Sequence, residues 1–245
     1  MLVSLAADPR ERLAFPLDYP DLAAARRGAE KMRGEVGVLK VGLELFVRSG
    51  PAAVALGAEL GCSVFLDLKL HDIPATVDGA VASAASLGAG YLTIHASGGP
   101  RMVEAACRRA AAENPNLVIL AVTVLTSLDD SDLRTMGISG TAGDHALGLA
   151  RAAFDAGARG FVCSPSELRR MRQSLGPGVV LVTPGIRPSG AASGDQKRTG
   201  TPREAIVNGA DLLVVGRPIR DASDPAAAAR AIVAEIAEAL GAAHQ

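Results

Sequence analysis

Residues 61–69, GCSVFLDLK, read as the close of a helix followed at once by a buried strand. Glycine suits the left-handed turn that ends a helix, and the apolar run after it suits a strand covered on both faces. The phrase returns along the chain. Gly88-Ala89 precedes GYLTIHA, Gly157-Ala158 precedes RGFVCSP, and Gly209-Ala210 precedes DLLVVGR. Each time an alanine-rich segment ends at glycine and a short β-branched or aliphatic run follows, the pattern of βα units on a parallel sheet. Outward from these anchors, strands are expected at Arg12–Asp18, Val36–Val41, Ser63–Lys69, Gly90–His95, Leu117–Leu125, Gly160–Ser164, Val179–Thr183 and Asp211–Gly216. Helix-forming residues fill the intervals, as in Ala52–Leu60, Ala75–Leu87, Arg101–Ala112 and Ala142–Ala156.

Eight such units in 245 residues predict an α/β fold, the (β/α)8 or TIM barrel, for which ~250 residues is typical. A doubly wound open sheet fits less well, because no GxGxxG follows the first strand. No linker or composition shift divides the chain, so a single domain over 1–245 is expected. Pro16 stands inside the first strand, where a ladder hydrogen bond should be.

Composition narrows the partners. With 25 basic and 26 acidic side chains, a net charge of −1 leaves no electrostatic footprint for nucleic acid or an anionic membrane. Three cysteines, Cys62, Cys107 and Cys163, form no CxxC pair, which argues for a reducing compartment over a disulfide framework or a zinc site. Met1–Ala7 is too short for a signal sequence, and the longest apolar run, Leu117–Leu125, is half a membrane span. A soluble cytoplasmic protein is the expectation.

In a barrel of this kind, reactive groups gather at the carboxyl ends of the strands. Those ends carry Asp18, Lys40, Asp67, Lys69, His95, Thr126, Ser164, Pro184–Arg187 and Gly216-Arg217. Charges inside VFLDLKLHD need a reason, because buried strands are continuously apolar. Asp67 and Lys69 lie two apart and should point the same way. Asp72 follows just beyond, and Lys40 ends the neighbouring strand. The expected result is an alternating set of Lys40, Asp67, Lys69 and Asp72. Such groups titrate as a unit, and an ammonium among carboxylates can stabilise a carbanion and then protonate it. A structural ion cluster is the plainer alternative, but four charges on two adjacent strand ends favour chemistry. Two lysines supply the positive charge a Mg²⁺ ion would bring, so no metal is expected.

The run DLLVVGR (211–217) ends in Gly216-Arg217, in the place where these barrels hold phosphate. Gly216 allows close backbone approach, and Arg217 offers a bidentate fork; the plainer reading is a surface turn. Two stretches interrupt the rhythm: a polar excursion at Ser127–Thr141, and the Gly/Ser-rich Gly185–Gly200, read as a lid in which Arg187 and Gln196 could donate to an anion. Asp129, Asp130 and Asp132 read as a solvated loop. His71 and His95 read as structural histidines before acid–base groups, and Cys163 as a small buried hydrophobe.

The segments LKVGLELF (39–46), FLDLKLHDIPATV (65–77), TIHASGG (93–99), VTVLTS (122–127), VTPGIRP (182–188), GDQKR (194–198) and VVGRPI (214–219) closely resemble the orotidine 5′-phosphate decarboxylase family. The resemblance runs in order from Asp18 to beyond Arg217. Its departures are mostly at the start, where Pro16-Leu17-Asp18 stands for the usual Ala-Leu-Asp. The resemblance implies conversion of orotidine 5′-monophosphate to uridine 5′-monophosphate and CO2, in pyrimidine biosynthesis, without metal or organic cofactor. It implies that Lys69 protonates C6 of the pyrimidine, that Asp67 faces the departing carboxylate, and that Lys40 and Asp18 bind ribose hydroxyls. Thr126 would contact the pyrimidine, and Arg187, Gln196, Gly216 and Arg217 the phosphate or the closing loop. It further implies a homodimer in which Asp72 and Thr76 reach the partner's site. Two rivals stand beside it: a Mg²⁺-dependent sugar-phosphate decarboxylase or synthase on the same barrel, with an acidic residue where Lys40 stands, and a non-catalytic nucleotide-binding barrel.

Overall fold

The computed structural model of the protein describes residues 8–188 and 199–242. Eight parallel strands close into one barrel in sequence order: β1 (Leu13–Pro16), β2 (Val38–Gly42), β3 (Ser63–Leu70), β4 (Tyr91–His95), β5 (Val118–Val122), β6 (Gly160–Val162), β7 (Val180–Thr183) and β8 (Leu212–Val214). β8 pairs back onto β1 through Leu13↔Leu213 and Ala14↔Val214. The expected (β/α)8 barrel is therefore the fold. β1, β5, β6 and β8 end two or three residues before the expected runs do, which continue into the rim of the barrel, whereas β2 and β3 run one residue further, to Gly42 and Leu70.

Helices pack around the strands: α1 (Leu22–Glu30), α2 (Leu43–Ser49), α3 (Pro51–Leu60), α4 (Pro74–Ser86), α5 (Pro100–Glu113), α6 (Asp130–Thr135), α7 (Ala142–Asp155), α8 (Leu168–Leu175), α9 (Pro202–Val207), α10 (Arg217–Arg220) and α11 (Pro225–Ala242). Proline opens α3, α4 and α5, where its missing N–H costs nothing and its fixed φ is already helical. Gly61 closes α3 at φ 71°, the left-handed turn expected of the GCSVFLDLK phrase.

Two apolar layers hold the barrel. Inside, Ala14, Val38, Phe65, Leu120, Val180, Val182 and Leu212 fill the lumen. Outside, the opposite faces of the strands meet the helices in one continuous core that includes Leu13, Leu66, Leu92, Ile94 and Phe161. Strands buried on both faces are thus mostly apolar, and each fully buried aliphatic side chain in them contributes about 1.5–3 kcal/mol. No helix among the described residues is long and apolar enough to cross a membrane.

Three details differ from the sequence reading. The polar excursion at 127–141 contains α6, and its acidic residues are caps: Asp129 and Asp132 form a reciprocal capping box. Asp130 accepts the Ala142 N–H at 2.8 Å, at the start of α7. Pro16 lies within β1 without breaking it. Its ladder position toward β2 uses the Leu17 N–H, which donates to the Lys40 carbonyl at 2.8 Å. Toward β8, the last rung is the Val215 N–H to the Ala14 carbonyl, and the next would need the N–H that proline lacks. Pro16 therefore ends the β1–β8 pairing where the chain turns off to Gly216-Arg217. Asp211, finally, is not part of a strand.

At the amino-terminal end of the barrel, Asp211 is 7% exposed and holds β7, β8 and α8 together. It accepts from Arg172 Nη2 at 2.5 Å and from the Leu181 N–H at 2.7 Å, with Arg12 at 3.6 Å. Burial pushes its carboxyl above the ordinary carboxylate range, against the pull of Arg172, the Leu181 N–H and Arg12. Removing one member of such a buried pair strands the other charge, at a cost of about 3–5 kcal/mol. An Asp211→Ala variant is expected to lose about that much stability in urea unfolding, while ligand affinity at the opposite end of the barrel stays at the wild-type value.

Candidate active site

A cavity of about 480 Å³ opens at the carboxyl ends of the strands, within the usual range for small-molecule sites. Its floor is apolar, made by Phe65, Val122, Val162, Val182 and Val214. One part carries Asp18, Lys40, Asp67 and Lys69; Thr126 joins the lining, and the part that follows β7 and β8 has Gly185, Arg187, Gly216, Arg217 and Arg220. One part is thus a relay of alternating charge, and the other is rich in arginine and glycine.

The relay is continuous. Lys69 Nζ lies 2.7 Å from Asp67 Oδ1; Lys40 Nζ lies 3.4 Å from Asp67 Oδ2 and 3.4 Å from Asp18 Oδ1. Asp67 thus gives one oxygen to each lysine. Thr93, on β4, donates its hydroxyl to the same Asp67 Oδ1 at 3.0 Å. Burial alone pushes the Asp67 carboxyl up, but Lys40, Lys69 and the hydrogen bonds from Lys69 and Thr93 outweigh it, so the group lies below the ordinary carboxylate range.

The Asp67–Lys69 spacing predicts two side chains on one face, and the structure brings them together with an added device. Lys69 is at φ 51°, and among the described residues it is the one non-glycine residue with positive φ. The β3–β4 register shifts between Leu66 and Leu70 at the same place. Thr93 Oγ1 accepts the Lys69 N–H at 2.9 Å and so holds this unfavourable backbone state. A lysine in the left-handed region has a cost of order 1–3 kcal/mol, and such costs collect at functional sites.

Asp72 does not join the relay within one chain. It is exposed, and its Oδ1 accepts the Ile73 N–H at 2.6 Å, at the entrance to α4. Thr76, on the first turn of α4, is exposed as well; neither residue lines the cavity. The same-chain set of four is therefore corrected to Asp18, Lys40, Asp67 and Lys69. Alternation carries a strand's side chains only to its last ladder pair, and the chain turns outward at 71–73.

At the arginine end, the base of the 185–200 excursion is closed by a bridge between Ile186 and Gly200, and the Arg187 N–H donates to the Gly200 carbonyl at 2.9 Å. Gln196 and the whole GDQKR segment (194–198) lie outside the described residues. Gly216 accommodates Pro16: a Cβ at 216 would fall 2.9 Å from Pro16 Cγ. The proline that looks out of place in β1 is thus a wall of the cavity, packed on the glycine before Arg217.

Of the other candidates, Ser164 and His95 do not line the cavity, and Cys163 does. Ser164 is fully buried and caps the turn before α8, its N–H donating to Glu167 at 2.8 Å. His95 is half-buried beside His71, ring centres 5.4 Å apart; burial first, then His71 and Lys69, push it below the usual histidine value. Cys163 is buried in the cavity wall, as expected of a small hydrophobe. Sequence reasoning missed Thr93, Pro16 as a lining residue, and Arg220. The threonine's polarity inside the buried run LTIH was the one signal for the first.

Together these features define a (β/α)8 barrel whose cavity joins a lysine–carboxylate relay to a part rich in arginine and glycine. A sequence model of the "Orotidine 5′-phosphate decarboxylase / HUMPS family" matches residues 11–232, and the chain belongs to that family. It is 58% identical over 226 residues to an orotidine 5′-phosphate decarboxylase of Anaeromyxobacter sp. (strain K), covering 92% of this chain and 98% of the relative. To the enzyme of that name from Thermobifida fusca it is 52% identical, covering 91% and 95% of the two chains. The crystal structure of orotidine 5′-phosphate decarboxylase from Lactobacillus acidophilus superposes with a TM-score of 0.82 at 36% identity, over 92% of this chain and 99% of that one.

Linkage gives the relay a signature. A carboxyl whose folded value lies below its unfolded one adds stability at pH above the unfolded value of about 4, and that contribution is lost as pH falls through the folded value. The stability difference between wild type and Asp67→Asn, measured by urea unfolding, is therefore expected to be constant above about pH 5 and to change only on acidification below about pH 4. A difference that drifts between pH 6 and 8 would show that another group dominates.

Proposed function

We propose that the protein decarboxylates orotidine 5′-monophosphate to uridine 5′-monophosphate, with Lys69 as proton donor, and that the relay carries the reaction. The observation on which this rests is the Lys69–Asp67 contact at the cavity wall, with Lys40 behind it. The family membership and the relatives' names support the substrate.

Breaking the C6–carboxylate bond releases CO2 and leaves the electron pair in an sp² orbital at C6, where the ring cannot delocalise it. Lys69 is placed to stabilise this charge as an ammonium and to give C6 a proton; the neutral amine then regains one from solvent. Asp67 serves by holding Lys69 and Lys40 in fixed positions before the substrate arrives, so little reorganisation is needed as charge develops. Its repulsion of the substrate carboxylate would act in the same direction. In this proposal Asp18 and Lys40 bind ribose hydroxyls, Thr126 the pyrimidine, and Arg187, Gly216, Arg217 and Gln196 the phosphate. Phosphate binding lies away from the reacting carbon, so its energy is free to assemble the site. No metal or organic cofactor is needed in this scheme, and the position a metal-dependent sugar-phosphate enzyme would give to an acid is occupied by Lys40.

The working form in this proposal is a homodimer in the cytoplasm. Leu43 and Val47 on α2 and Ile73 before α4 are exposed apolar side chains, with Val47 81% and Ile73 67% exposed, and they follow the neighbouring strands β2 and β3. Asp72 and Thr76 stand beside that surface, where a second copy would bring them to its cavity.

Purified protein mixed with orotidine 5′-monophosphate and a chelator is expected to consume it at an undiminished rate. Lys69→Ala is expected to lose at least about 10⁴-fold in kcat while still binding uridine 5′-monophosphate. Near-normal turnover by that variant would overturn the mechanism. Mixing inactive Lys69→Ala with inactive Asp72→Ala is expected to restore about a quarter of wild-type activity, because half of the random dimers would then hold one complete site. No recovery after subunit exchange would assign Asp72 to its own chain.

A further inference from the structure

We infer that Arg220 is a positioning residue that fastens the Asp18 segment to the turn after β8, and so sets the ribose end of the cavity from across the β1–β8 seam. The inference rests on the reading of Asp18 as a ribose ligand.

Asp18 needs such a fastening. Its neighbours are fixed: Leu17 is fully buried and bonded to the Lys40 carbonyl, and the Tyr19 ring packs so closely on α1 that a Cβ at Gly28 would lie 2.4 Å from it. Asp18 itself has a side chain 51% exposed, with Lys40 at 3.4 Å as its ion-pair partner. Pro16 has just ended the β1–β8 ladder, so past Val215 these two strands are no longer held by backbone bonds. Something else must hold the Asp18 main chain against the turn that follows β8.

Arg220 spans that gap. It ends α10, which starts at Arg217, and its side chain lines the same cavity. Its Nη1 donates to the Asp18 carbonyl at 3.4 Å. Its Nε and Nη2 donate to the two oxygens of Asp221 at 2.7 and 3.2 Å, which fixes the plane of the guanidinium. One face of the fork is anchored to its own turn, and the remaining nitrogen reaches across 202 residues of sequence. A surface ion pair with Asp221 alone would not require the side chain to enter the cavity wall.

The test is a double-mutant cycle on binding of uridine 5′-monophosphate and of uridine, by calorimetry or competitive inhibition. Wild type and Asp18→Ala test the underlying reading: if Asp18→Ala leaves uridine affinity unchanged, Asp18 is not a ribose ligand and the inference falls with it. Given that effect, Arg220→Ala is expected to weaken both ligands by the same factor, roughly tenfold, and the double variant to be no weaker than Asp18→Ala alone. Arg220→Lys is expected to behave as Arg220→Ala, because one ammonium cannot hold Asp221 and the Asp18 carbonyl together. A loss confined to the phosphate-bearing ligand would make Arg220 a direct phosphate contact and overturn the inference. So would additive losses, unchanged binding in Arg220→Ala, or full recovery in Arg220→Lys.

Discussion

Asp67 is held between two ammonium groups, and most of what is unusual in the barrel exists to keep it there. A carboxylate buried at the end of a strand is costly unless paired and hydrogen-bonded. Lys40 and Lys69 supply the charge, and Thr93 supplies a further donor. In return, the carboxylate fixes both lysines at distances that long, flexible side chains would not keep unaided. The left-handed backbone at Lys69 and the register shift beside it follow from the same demand. Thr93 serves both parts, accepting the Lys69 N–H and donating to Asp67, so one hydroxyl links the strained main chain to the charge it positions.

The architecture was legible because its signal is repeated. Four occurrences of helix, glycine and apolar run set the period, and eight such runs in a chain of this length leave few alternatives to closure. The relay was legible for a related reason. A charge inside a strand buried on both faces contradicts the pattern around it, so Asp67 and Lys69 stand out without any knowledge of the fold. What sequence could not give was the direction of the chain beyond its last ladder pair. Asp72 is five residues from Asp67 and reads as a neighbour, yet the turn at 71–73 carries it outward, toward a surface where apolar side chains are exposed. Caps were hidden as well: Asp129, Asp130 and Asp132 look like any polar loop until α6 and α7 are seen to begin there.

Pro16 is the most informative misreading. On strand grammar it is a fault, because proline removes a ladder donor. The structure makes the missing N–H the point at which β1 and β8 part, and the ring fills the space that Gly216 leaves open. A residue with an N–H there could extend the pairing and draw Gly216 and Arg217 into the ladder. Local rules fail here in the way expected of a functional site, where one irregular residue is matched by another across the seam.

The two ends of the barrel solve the same electrostatic problem for different purposes. Asp211 is buried and Asp67 largely so, and each has two basic partners, yet burial wins at Asp211 and the lysines win at Asp67. Arg172 spends its donors on backbone carbonyls of Gly176, Val179 and Gly209 as well as on Asp211, so that cluster closes the seam between β7 and β8. Among the described residues the Lys69 ammonium has no such additional partner, and it lines the open cavity. The contrast follows from residue type. A guanidinium has five donors in a fixed plane and suits a permanent clasp, whereas an ammonium on a flexible stem can release a proton. Arginine at the closed end and lysine at the open end therefore separate a part that must not move from the part to which the proposed function gives the chemistry.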